Sequence, residues 1–237
     1  MNGSMSEIKL SPWYQLHHTE QHVWIELLQG EHRVVSSGVL NGGLSRARHL
    51  LNLKVPRTFD GDVAPAVTLQ TYADGLGASG PVVGMMTAAS MESMRCYRQQ
   101  VQDIELVVVV TCGLDNARRV GDVAEYRSMV SAIEQAGTIN ILFLSSAGMT
   151  TAAMVEAVQM ITEAKTAALL AAGTRSPVSG AAATGTGTDA VAVVSGLGQE
   201  QIQYCGKHVL FGEVLGRLTL AAVQDSVAWY RYPAAQH

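Results

Sequence analysis

The stretch AAATGTGTDAVAVV, Ala181 to Val194, alternates three threonines with two glycines, reaches Asp189 and runs straight into β-branched apolar residues. If it is extended, a period of two places Thr184, Thr186 and Thr188 on one face and Gly185 and Gly187 on the other, where a ligand or backbone can approach closely. Hydroxyls ending beside a carboxylate suit hydrogen bonding to a polar, weakly charged ligand. The equal alternative is a glycine-rich loop whose Asp stabilises a turn or caps a helix. A phosphate cradle does not follow, because the segment enters a strand rather than a helix and carries no lysine.

Other groups could join this chemistry. In MVEAVQMITEAKTAAL an apolar stripe passes through Met154, Val158, Ile161, Ala168 and Leu169 at helical steps, and Lys165 falls within it. A lysine on a buried face needs a partner, and Asp189 is an available carboxylate; the alternative is a lysine that snorkels to solvent. TINI sets Thr138 and Asn140 on one face of an apolar strand, where they must find hydrogen bonds in ligand or backbone. TCGLDNARRVGD ends a strand in a glycine-containing loop that holds Asn116. Cys112 there is a nucleophile or, more simply, a small core residue. Gly206, Lys207 and His208 open the last helix, and His208 is either a general acid or base or a backbone-bonded helix-end histidine. The other histidines show no ligand spacing, so no metal site is expected.

These residues need elements to hold them. HVWIELLQGEHRVV reads as an antiparallel hairpin turning at Gln29-Gly30-Glu31, with Asn41-Gly42-Gly43 ending its second strand. Residues 53–65 read as a loop with a short helix beyond it. PVVGMMTAAS reads as a strand and MESMRCYRQQV as a helix with Ser90 as N-cap. IELVVVVTCG, GTINILFLSS and TDAVAVVSG are central strands by their β-branched runs. Two long helices follow, 150–172 with Gly173 beyond its end, and roughly 209–229. The order implies an α/β (α+β) fold: a layered domain around a mixed β-sheet with long flanking helices, compatible with a two-sheet αββα sandwich. Residues 1–22 read as an N-terminal extension and 23–232 as a single domain.

Composition narrows the function. The 237 residues are 48% hydrophobic and 15% charged with a net charge of −4, and the basic residues are scattered, which argues against nucleic acid as partner. Three distant cysteines and no apolar leader suit reduced thiols in the cytoplasm. The helix at 152–172 carries Glu156, Glu163 and Lys165, so membrane insertion is not expected. Gly212 and Gly216 on the last helix allow close packing and hint at a homodimer.

Taken as an ordered set, VLNGGL, TCGLDNARRVGD, GTINILFL, TEAKTAAL, ATGTGTDAVAVV and GKHVLFGEVLG resemble the adenosylcobinamide amidohydrolases (CbiZ) over residues 34–227. The resemblance implies hydrolysis of the amide that joins the aminopropanol arm of adenosylcobinamide to the corrin, giving adenosylcobyric acid and aminopropanol in cobalamin salvage. The cobalt corrinoid is then the substrate, and no cofactor is expected. The working assignment has water attack the amide. Asp189 or His208 serves as base and Lys165 as oxyanion stabiliser or acid. Asn41, Asn116, Thr138, Asn140, Thr184, Thr186, Thr188 and Lys207 bind substrate, with Thr186 and Asn140 positioning it. Two alternatives stay open: a corrinoid carrier or sensor that does not cleave, and an autoprocessed amidase with an N-terminal nucleophile.

Overall fold

Strands apolar on both faces must be covered on both faces. Three runs meet that description: Val107–Val110, Ile139–Leu144 and Val191–Val194. The computed structural model, which describes residues 7–56, 63–126, 128, 129 and 138–232, puts all three side by side in the middle of one sheet.

In chain order the elements are β1 (Glu7–Leu10), β2 (Tyr14–His18), β3 (His22–Leu27), β4 (His32–Ser36), β5 (Gly43–Ala47), β6 (His49–Lys54), α1 (Pro65–Gly75), β7 (Val82–Thr87), β8 (Arg95–Val101), β9 (Ile104–Cys112), β10 (Ala117–Arg118), β11 (Ile139–Ser145), β12 (Ala147–Met149), α2 (Thr151–Ala171), β13 (Gly185–Thr186), β14 (Ala190–Ser195), β15 (Gly198–Ile202) and α3 (Leu210–Arg231). A five-stranded sheet has the order β1-β2-β3-β6-β7 and a six-stranded sheet the order β5-β4-β14-β11-β9-β8. Each is antiparallel apart from one parallel pair, and each parallel pair is joined by a helical crossover: α1 between β6 and β7, α2 between β11 and β14.

Alternation along the strands divides the core into layers. Val107, Val109, Leu142, Leu144, Ala192 and Val194 point at Tyr14, Leu16, Ile25 and Leu50 of the facing sheet. Their neighbours Val108, Val110, Ile141, Phe143 and Val193 point the other way, at Met154, Ile161, Leu215 and Leu218 of α2 and α3. α1 covers the outer face of the five-stranded sheet through Leu69 and Ala73. The layering is therefore α, β, β, α.

Two expectations for local structure are corrected. The turn after β3, with Gly30 at φ +108°, is not a hairpin: it carries the chain from one sheet to the other. β3 pairs with β2 and β6, β4 with β14 and β5, and their apolar residues meet across the inter-sheet core. The expected helix at 91–101 is one short 3-10 turn, capped by Ser90, followed by edge strand β8. Its register with β9 runs from Arg95↔Val110 to Val101↔Ile104. Polar residues on both faces of an edge strand hide the period of two, and pairing with β9 overrides local propensity.

Residues 1–22, read as an extension, enter the fold from Glu7 onward, and Trp13, Tyr14 and Leu16 are buried in the inter-sheet core. Part of the loop expected at 53–65 (57–62) lies outside the described residues. Gly212 and Gly216 pack within the chain. A Cβ at Gly212 would collide with the carbonyls of Cys205 and Gly206, and one at Gly216 would stand 3.2 Å from Met160. These glycines give no argument for a dimer.

Candidate active site

The six-stranded sheet ends in a polar corner where β9 finishes and β11 and β14 begin. Ile139 pairs with Cys112, and Asn140 with Ala190, so Thr138 and Asp189 lie on adjacent strands just outside the ladder. α2 crosses this corner. Its buried stripe carries Met154, Ala157, Ile161 and Ala168, and in the same stripe Lys165 is only 7% exposed. The Lys165 ammonium forms an ion pair with Oδ2 of Asp189. Thr166 Oγ1 donates to the Thr184 carbonyl at 3.1 Å and fastens the helix to the glycine-threonine loop.

Asp189 is held by more than the lysine. Thr186 Oγ1 donates to it at 2.5 Å, Ile139 N at 3.1 Å and Thr186 N at 3.1 to 3.2 Å. Four donors use most of the acceptor capacity of one carboxylate. Thr138 Oγ1 donates to the Thr188 carbonyl at 2.5 Å, which braces the turn before Asp189. A Cβ on Gly185 would collide with the Asp189 carboxylate and stand 2.9 Å from Lys165 Nζ. Glycine at 185 therefore admits the ion pair rather than a ligand.

Above the pair opens a pocket of about 800 Å³, within the range of about 300 to 1,000 Å³ usual for small-molecule sites. Thr162, Lys165 and Thr166 of α2 form one wall and residues 184–189 another. Asn116 and the loop 118–126 complete it with Arg118, Arg119 and the exposed Val120 and Val123. β10 pairs with β13, which sets Asn116 beside Gly187. Neither Asn116 Nδ2 nor Oδ1 has a hydrogen-bond partner, and both are closed off from water. Leaving such a group unsatisfied costs about 1 to 3 kcal/mol.

The rim loop is clamped. Asp122 accepts from Ser176 Oγ at 2.5 Å and from Arg119 N at 2.8 Å; Ser176, Ser179 and the Arg119 N–H together hold its carboxyl below the usual range. Val120 N donates to Thr184 Oγ1 at 2.8 Å, and Arg118 pairs with Glu125 at 3.2 Å.

Of the residues singled out in the sequence, Lys165, Asp189, Thr184, Thr186, Thr188 and Asn116 line this pocket and Thr138 lies beneath it. Four others lie elsewhere. Asn41, at φ +53°, donates to the Val82 carbonyl at 2.7 Å and holds a turn. Asn140 donates to Asn52 Oδ1 at 2.8 Å and the Met86 carbonyl at 2.9 Å, pinning the two sheets together from the inter-sheet face. Lys207 pairs with Glu163 on the surface. His208 is exposed before α3, its ring 6.3 Å from that of Tyr204. The threonines do not form one row: Thr184 holds the rim loop and Thr186 turns to Asp189. Cys112 is fully buried, and burial first, then the Asp189 charge, push its thiol up. The structure places it as the small core residue. Thr162 and Thr166 were missed: Thr162, three residues before Lys165, shares its helix face, whereas Thr166, the next residue, carries no such signal and lines the pocket where it bonds the Thr184 carbonyl. Among the described residues no cluster of His, Cys, Asp or Glu could hold a metal ion, and no helix is long and apolar enough to cross a membrane.

The chain is similar to several known proteins. It is 30% identical to the adenosylcobinamide amidohydrolase of Methanosarcina mazei over 84% of this chain and 91% of that protein. An uncharacterised protein of Methanocaldococcus jannaschii is 31% identical over 60% of this chain and 61% of its own length. Among solved structures, a Pyrococcus horikoshii protein aligns at 12% identity with a TM-score of 0.39, and a Burkholderia β-aminopeptidase at 9% with 0.45. Each alignment covers 96% of this chain and 82% of the other. The sequence profile of the adenosylcobinamide amidohydrolase family matches residues 9–232, and the chain belongs to that family.

Proposed function

We propose that this amidohydrolase cleaves adenosylcobinamide in the pocket above Lys165 and Asp189, giving adenosylcobyric acid and aminopropanol. The observation that carries the reading is the buried lysine–carboxylate pair, joined by the Thr186 hydroxyl, on the floor of the pocket.

Amide hydrolysis needs an activated nucleophile, a place for the developing oxyanion and a proton for the leaving amine. The Lys165 ammonium has three N–H groups, and Asp189 takes one. The others can meet the amide oxygen, an interaction worth about 10² to 10³ in rate. Thr186 gives its own proton to Asp189, so its lone pairs are free to accept from an attacking water. The water proton passes through Thr186 to Asp189 and returns to the amine nitrogen as the C–N bond breaks. His208, exposed and outside the pocket lining, has no role in this scheme. Among the remaining groups, Asn116 and Thr188 bind the substrate, while Thr138 and Thr184 hold the loop that carries Thr186.

A second reading rests on the 2.5 Å bond from Thr186 to Asp189. The same geometry lets the threonine hydroxyl attack directly, forming an ester that water then cleaves. Intact-mass spectrometry during turnover separates the two, since only the second shows a protein mass raised by the corrinoid acyl group.

The test of the function uses chelator-treated protein with adenosylcobinamide and mass spectrometry of the products. One aminopropanol for each adenosylcobyric acid is expected. A stoichiometric change in the corrinoid spectrum without aminopropanol would make the protein a carrier. Turnover that appears only on adding a metal ion would remove the water relay as described.

A further inference from the structure

Asn116 is, among the described residues of the pocket wall, the group whose polar atoms are both shut from water and both without a partner. A buried amide with neither bond made weakens the empty protein and gives nothing back. Its backbone is firmly held: Gly187 N donates to the Asn116 carbonyl at 3.1 Å, and the next residue, Ala117, pairs with Thr186. The amide is thus fixed in register with the loop that carries Thr186. A Cβ at Gly187 would stand 3.3 Å from Asn116 Nδ2 and would meet nothing else within 4 Å. With no side chain at Gly187, only the backbone of the 185–188 turn stands against the amide on that side, and a ligand reaches it by displacing that turn.

A side-chain amide presents a donor and an acceptor next to each other. A neutral carboxamide pairs with it through two hydrogen bonds, whereas a carboxylate, all acceptor, sets its oxygens against Oδ1. A corrinoid is fringed with such carboxamides. We propose that Asn116 determines specificity by reading one peripheral carboxamide of the corrinoid, and that the enzyme discriminates against corrinoids bearing a carboxylate there. This rests on the reading of the pocket as the corrinoid site. A residue that engages substrate away from the scissile bond acts on KM rather than on kcat.

The experiment measures KM, kcat and Tm for the wild type, Asn116→Leu and Gly187→Ala. The substrates are adenosylcobinamide and its separated side-chain monocarboxylic acids, made by mild acid hydrolysis of the peripheral amides. The wild type is expected to disfavour one monocarboxylate about tenfold in kcat/KM, equivalent to about 1.4 kcal/mol. Asn116→Leu should raise KM for adenosylcobinamide about tenfold, change kcat far less and erase the discrimination. Its Tm should hold or rise, because the isosteric change removes an unsatisfied amide. Gly187→Ala should raise KM in the same direction. A fall in Tm with the amide-to-carboxylate ratio kept at its wild-type value would make Asn116 structural and overturn the proposal. Lys165→Met separates the two levels. Lost turnover with corrinoid binding retained keeps the site and leaves the Asn116 ratios to decide; full turnover moves the reaction elsewhere and overturns both.

Discussion

Lys165 and Asp189 are unequal partners. The lysine meets the carboxylate and the pocket, whereas the carboxylate also satisfies the backbone N–H groups of Thr186 and Ile139. Breaking a buried pair from either side costs about 3 to 5 kcal/mol. Asp189→Ala should cost at least about 1 kcal/mol more than Lys165→Met, because it also strands two backbone donors and the Thr186 hydroxyl. Urea unfolding measures the difference, and equal losses would mean that those backbone bonds add nothing. Cys112 gives a second prediction at this scale. With its thiol pushed up by burial, the native protein should resist iodoacetamide at this residue at neutral pH, and Cys112→Ala should keep turnover. Lys165 was legible because a helical stripe exposes a misplaced charge. The misplacement of Asn140 was not avoidable in the same way: a polar residue in a buried strand needs partners, and sequence does not say that Asn52 on the facing sheet supplies one.

At the scale of elements, the pocket depends on how the loop 118–126 is tied down. Asp122 bonds Ser176 and the Arg119 backbone, and its carboxyl is held below the ordinary value of 3.8. A lowered folded value means that the clamp is fully formed above that ordinary value and is lost only as pH falls through the lower one. The loop should therefore remain protected from trypsin at Arg118 and Arg119 at pH 5 as at pH 7. Asp122→Asn should speed cleavage there several-fold at pH 7, and an unchanged rate would show that the clamp does not hold the loop. Central strands and long helices were readable, since β9, β11, β14, α2 and α3 carry their own patterns in full. Edge strand β8 and the corner between β3 and β4 were not, because their conformation is decided by distant partners.

For the molecule as a whole, the four-layer packing buries histidines that do not line the pocket. His22, His32 and His49 are buried, and desolvation holds each below the ordinary value of 6.5. A depressed folded value gives stability that is complete above about 6.5 and declines as pH falls from there through the folded values. Unfolding free energy should thus drop between pH 7 and pH 5, and His32→Leu, which also removes a ring nitrogen without a partner, should flatten the slope. A slope unchanged by that substitution would place the pH dependence elsewhere. The layering itself was compatible with the sequence, but the division into two sheets was not readable, since alternating faces look alike whether they meet a helix or a second sheet. The deciding measurement is kcat for adenosylcobinamide with Asp189→Asn beside the wild type, both shown folded by circular dichroism. A proton relay ending on Asp189 predicts a fall of about 10² to 10⁴. A value within about threefold of wild type would contradict the assignment of this pocket as the active site.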